Sequence, residues 1–113
     1  MIMKIVTPEF EKLFEKYPLY SQEGSKDPIV NAKLFVWGIT WYLTEYDKDS
    51  KTAFWYTTGL GEDEFWYIHI PELEEIKVQG IWEVERDLYL TQAPLTTFLT
   101  NEQKQKVKQI LWE

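Results

Sequence analysis

Three times in the middle of the chain a Trp stands directly before a Tyr, at Trp41-Tyr42, Trp55-Tyr56 and Trp66-Tyr67. Neighbouring side chains on a β-strand point to opposite faces. Each doublet therefore sets one large aromatic on each side of a sheet, and both sides need an explanation. The segments around the doublets read as strands. "IVNAKLFV" precedes them, and "ITWYLTEY" carries Ile39, Trp41 and Leu43 on one side and Thr40, Tyr42 and Thr44 on the other. "TAFWYTTG" and "FWYIHI" follow. A polar cluster from Asp47 to Lys51 separates the second and third, and Gly59 and Gly61 turn the chain between the third and fourth. Short turns between successive strands imply an antiparallel meander.

Helix signals lie outside this block. Thr7-Pro8 is an N-cap followed by a proline suited to the first helical position. Phe10, Leu13 and Phe14 then fall on one stripe. Pro71 opens the short helical segment "PELEEI". A last strand is expected from Trp82 to Leu90. Thr100 with Gln103 forms a capping box, and the helix behind it sets Val107, Ile110 and Leu111 on one face. These elements predict an α+β domain over residues 1–113. Its antiparallel sheet has about five strands, with the N- and C-terminal helices packed on one face.

The charge is segregated. The chain nets −7, and residues 62–87 hold nine acids (Glu62, Asp63, Glu64, Glu72, Glu74, Glu75, Glu83, Glu85 and Asp87) against Lys77 and Arg86. Elsewhere acids and bases cancel. A basic footprint for phosphate is lacking, so direct nucleic-acid binding is disfavoured. An acidic surface suits a basic protein partner, a metal ion or simple solubility. There is no Cys, hence neither disulfides nor a thiolate nucleophile. No apolar run reaches the ~20 residues of a membrane helix, and "MIMKIVTPEF" has no secretory cleavage pattern. The expectation is a cytoplasmic protein, a monomer or homodimer, without cofactor.

Several residues are candidates for function. Glu83, Glu85 and Asp87 alternate, and on one strand would line one face, where three carboxylates can hold Mg²⁺ or Mn²⁺. The same pattern keeps an edge strand soluble. Arg86, the one arginine, falls on the apolar side with Val84 and Leu88 and needs a carboxylate partner there. Glu45 and Asp27 fit by type, either as a buried ion pair or as an anion clamp at a pocket mouth. His69 is the one histidine and excludes a two-imidazole site. The aromatic doublets admit core on both faces, a stacking platform, or an interface. A platform for bases would want a basic groove. An interface would pair aromatic anchors with an acidic rim, here Trp66 and Trp82 with Glu62, Asp63, Glu64, Glu72, Glu74 and Glu75.

The blocks "PLYSQEGSKDPIVNAKLF", "WYLTEYD", "YTTGLG", "FWYIHIPELEEI" and "VERDLYL" with a downstream "APL" resemble the small proteins grouped as domain of unknown function 2958, from about Lys4 to Leu95. The resemblance implies a setting on plasmids, conjugative elements and phages, and it supplies no catalytic residues. With the charge, it leads to a first expectation: a non-enzymatic interaction protein that binds and inhibits a basic, nucleic-acid-binding host or defence protein such as a CRISPR effector. The alternatives are a metal-dependent nuclease using the clustered carboxylates and a small-molecule-binding domain closed by Arg86.

Overall fold

The computed structural model describes residues 5–78 and 82–112. The chain opens with α1, Pro8–Leu13, capped by Thr7, whose hydroxyl accepts the N–H of Phe10 at 3.1 Å. The meander follows as expected. Its strands are β2 (Ala32–Val36), β3 (Ile39–Asp47), β4 (Thr52–Thr58) and β5 (Glu64–His69), paired antiparallel in sequence order. Before it, β1 (Ile29–Val30) is split from β2 at Asn31. There the buried Asn31 donates its side-chain amide to the Thr44 carbonyl at 2.8 Å and accepts from Gln92 at 2.7 Å.

After β5 comes α2, Ile70–Glu74. The chain then crosses the sheet through the ladder of β6 (Lys77–Val78) and β7 (Trp82–Glu83). It adds β8 (Glu85–Arg86) to the free edge of β2, giving the order β5-β4-β3-β2-β8. The expected strand from Trp82 to Leu90 is therefore two separate two-residue ladders. They are divided at Val84, which is buried in the core while Leu88 and Tyr89 turn outward. β9 (Ala93–Pro94) returns to pair with β1, and a 3-10 turn (Leu95–Phe98) leads into α3, Asn101–Leu111. The Thr100–Gln103 capping box forms as expected.

Contrary to the expectation from sequence, the helices do not share one face. Ile5, Phe10 and Phe14 from the N-terminal segment, with Ile70 and Leu73 of α2, pack on Leu34, Val36, Trp41, Leu43, Ala53 and Trp55. The opposite face has its own core, in which Tyr42 and Tyr56 meet Val30, Leu95, Leu99 and Val107 of α3. Both faces are buried because both are apolar: Trp41 and Trp55 stack at 5.8 Å on one, while Tyr42 and Tyr56 pair across strands on the other. α3 touches the sheet through Val107 and Leu111, spaced i, i+4, and Ile110 is half exposed rather than packed.

One irregularity decides what each face carries. The β3–β4 register shifts between Leu43, opposite Trp55, and Glu45, opposite Phe54. The extra residue, Thr44, is a β-bulge. Beyond it Tyr46 turns to the Trp41 face and meets Phe10 edge-on at 5.0 Å, while Glu45 turns to the Tyr42 face.

The β4–β5 turn abuts the β2–β3 turn. Gly59 has φ +92, and a Cβ there would overlap the Gly38 carbonyl oxygen. Gly59→Ala should therefore lower the melting temperature by about 10 °C or more, from a positive-φ cost of ~1–2 kcal/mol plus the clash. Gly24 has φ +85 but open space around it, so Gly24→Ala pays the backbone cost alone and its shift should be clearly smaller. Thermal melts of both variants followed by circular dichroism check the difference.

Candidate interaction surfaces

Three of the acids singled out in the sequence serve the scaffold. Glu45, 4% exposed, accepts the backbone N–H groups of Tyr20 and Gln22, both at 2.8 Å. Asp27 accepts the Thr96 N–H at 3.0 Å and its hydroxyl at 2.6 Å, tying the loop before β1 to the 3-10 turn. Glu74 accepts the N–H groups of Ile5 and Val6, at 2.6 and 3.3 Å. Charged acceptors make stronger bonds than neutral ones, so each carboxylate latches a stretch of chain that has no ladder of its own. Glu45 and Asp27 are thus engaged elsewhere than at Arg86. Arg86, largely buried, meets Glu9 at 3.4 Å, and its guanidinium lies 5.8 Å from the centre of the Phe10 ring. Glu9 was not foreseen, because its partner stands 77 residues away in sequence.

Glu83, Glu85 and Asp87 do not belong to one strand. Glu83 stands opposite Lys77 in one ladder and Glu85 opposite Phe35 in another, and Asp87 accepts the Tyr89 N–H at 2.9 Å. Among the described residues no group of three or more His, Cys, Asp or Glu side chains is placed to hold a metal ion. His69 ends β5 opposite Thr52 and precedes α2.

The acids expected to form one surface divide between the two ends of β5. That strand has six residues and spans about 17 Å at ~3.4 Å per residue. Glu62, Asp63 and Glu64 lie at its start, and Glu72 and Glu75 lie beyond its end on and after α2. The start is where aromatics are also exposed. Trp37, in the β2–β3 turn, is 56% exposed and lies 6.3 Å from Trp82, itself 52% exposed. Leu60 is exposed on the abutting turn. Trp66 stands opposite the buried Trp55, yet as an edge residue it is 64% exposed. Trp37 also has φ +53, a conformation that bulky L-residues rarely adopt. The sequence reading missed Trp37. The signal was its place before Gly38, a turn dipeptide between two apolar runs.

On the opposite face β5 presents Phe65 and Tyr67. Phe54 stacks on Phe65 at 5.8 Å between centroids and meets Tyr67 at a tilt, at 4.7 Å. With Tyr20, Gln22, Glu23 and Leu111 they line a cavity of about 270 Å³.

A family described as "Protein of unknown function (DUF2958)" has a model that matches residues 5–108. The chain belongs to this family. The match spans all of the sheet, both cores and most of α3. No curated protein and no solved structure matches the chain. No helix among the described residues is long and apolar enough to cross a membrane.

Two buried phenols of this DUF2958 protein should make its stability sensitive to alkali. The hydroxyls of Tyr46 and Tyr56 are buried without a hydrogen-bond partner among the described residues. Burial, with lesser contributions from Glu11, Asp47 and Glu74, pushes Tyr46 from 10.0 up to about 12. Burial, then Asp63 and Tyr42, does the same to Tyr56. The folded state holds these protons where the unfolded chain has lost them. Their contribution is therefore complete below pH 10 and is lost as pH rises through 12. Urea midpoints measured from pH 8 to 12 should fall above pH 10. Tyr46→Phe and Tyr56→Phe should flatten that fall, with little loss at pH 8, since each removes an unpaired polar atom. A wild-type midpoint constant to pH 12 would contradict this.

Proposed function

We propose that this chain is a non-enzymatic interaction protein that presents an acidic, aromatic surface to a basic protein partner. The observation that carries the reading is the juxtaposition at one end of the sheet. The exposed Trp37–Trp82 pair, the Gly59 turn abutting Gly38, and the acids Glu62, Asp63 and Glu64 meet there. Buried aromatic anchors within a charged rim supply most of the binding energy of protein interfaces. A negative rim steers a positive partner and rejects nucleic acid. The strained turn at Trp37 supports the same end, since its positive φ goes with a half-exposed ring set beside Trp82. On this reading the partner is a nucleic-acid-binding host or defence protein, of which a CRISPR effector is one kind. The acidic end would occupy its phosphate groove and inhibit it, in the setting of a phage or other mobile element.

The test is capture of host proteins by wild-type chain at low and high salt, with DNA as competitor. Wild-type protein should retain a basic, nucleic-acid-binding protein that DNA displaces and high salt releases. The triple variant Glu62→Lys, Asp63→Lys, Glu64→Lys should lose it. The double variant Trp37→Ala, Trp82→Ala should weaken it at least about tenfold, two anchors at ~1 kcal/mol or more each. Equal capture by both variants would overturn the assignment of this end. Cleavage of labelled DNA in Mn²⁺ would overturn the non-enzymatic reading.

A further inference from the structure

The cavity on the other face of the sheet has the wrong chemistry for a structural void. Its walls are Phe54 and Phe65 of the sheet, with Tyr20 and Tyr67, whose rings lie 6.2 Å apart. Glu45 and Glu23 both stand on its lining. Three other clefts, along α1, under its C-terminal end and beside β8, each carry Lys12, Lys16, Lys33, Lys48 or Arg86 on their walls. The lining of this one holds two carboxylates and no lysine or arginine.

Glu45 is the central group. A carboxylate removed from water to 4% exposure is costly unless it is compensated. Each of its oxygens accepts one backbone N–H, from Tyr20 and from Gln22. A carboxylate offers about four acceptor sites, so about half of its capacity remains. Among the described residues no lysine or arginine forms an ion pair with it. The negative field reaches the cavity wall: the Tyr67 phenol is pushed up from its ordinary value, first by burial and then by Tyr20, Glu45 and Glu23. Tyr20 is held at φ +73 where its N–H meets Glu45, so strained backbone supports the carboxylate's position. The nearby cations are engaged elsewhere. Lys26 and Lys108 lie over the Trp112 ring at 5.3 and 5.7 Å, at the C-terminal end of α3.

We propose that this pocket binds the guanidinium head of an arginine side chain from a partner polypeptide. Aromatic faces attract a cation through their quadrupoles. Guanidinium stacks on such faces, is less strongly hydrated than an ammonium, and pairs with a carboxylate. A cavity of about 270 Å³ lies just below the ~300 Å³ where sites for drug-sized ligands begin, which suits one side chain. The pocket extends the interaction reading to the sheet face opposite Trp66. Its test uses no partner protein, so its failure leaves the acidic turn end untouched.

The probe is N-acetyl-arginine methylamide, titrated into the full chain and followed by NMR of backbone amides and aromatic rings. The amides of Tyr20 and Gln22 and the rings of Phe54, Phe65 and Tyr67 should shift together, with a dissociation constant in the millimolar range. The neutral citrulline analogue should bind at least about tenfold more weakly, and the lysine analogue several-fold more weakly. Tyr67→Ala, at a half-exposed edge position outside both cores, should weaken arginine binding about three- to tenfold. Glu45→Gln should abolish it, and retained amide dispersion will show that the variant is folded. No shift of these residues at 50 mM, about ten times a millimolar-range constant, would overturn the proposal. So would equal affinity for citrulline or lysine.

Discussion

The bulge in β3 at Thr44 is the constraint on which both faces of this protein depend. A strand without it would keep Glu45 on the side of Leu43, inside the core that Phe10 and Trp55 fill. An ionised carboxylate there would have no donor and would not be tolerated. The inserted residue instead carries Tyr46 to that core and Glu45 to the other face, where two backbone N–H groups await it. The loop from Tyr20 to Gln22 is thereby fixed, and Gln22 in turn bonds to Ile29 and Thr44 with its side-chain amide. The aromatic cavity over Phe54 exists because this loop is held above it.

The acids fall into two groups. Glu45, Asp27 and Glu74 are latches that replace the backbone pairing their neighbours lack. Glu62, Asp63, Glu64, Glu72 and Glu75 make no such bond among the described residues and surround the two ends of β5. The acids left on the surface are therefore divided, and only Glu62, Asp63 and Glu64 stand at the end of the sheet where Trp37 and Trp82 also reach solvent.

Much of the local structure was legible because it is written in short-range chemistry. Thr7-Pro8, the Thr100–Gln103 box, the turn at Asp47–Lys51 and the four meander strands all rest on residues within a few positions of one another. What escaped the reading is set by long-range packing. The Thr44 bulge leaves no local mark in an uninterrupted run of β-formers. The break at Val84 arises because β7 and β8 pair with different strands. Arg86 could be read as needing an acid, but Glu9 could not be chosen over Glu45 without the crossing that brings β8 to α1. The two faces were implied by the doublets themselves, yet placing one helix on each required knowing that the chain reaches β9 before α3 begins. The family match over residues 5–108 agrees with the block pattern and adds no chemistry to it.

The doublets resolve into three tryptophans on one face, Trp41 and Trp55 covered and Trp66 open, with their tyrosines on the other. That division between covered and exposed aromatics decides which rings can meet a partner. Solvent-induced ¹⁹F shifts of the chain labelled with 5-fluorotryptophan test it directly, with each signal assigned by single Trp→Phe variants. Trp37, Trp66, Trp82 and Trp112 should respond to exchange of H₂O for D₂O and broaden with a soluble paramagnetic agent, while Trp41 and Trp55 should do neither. Shielded signals for Trp37, Trp66 and Trp82 would contradict the account.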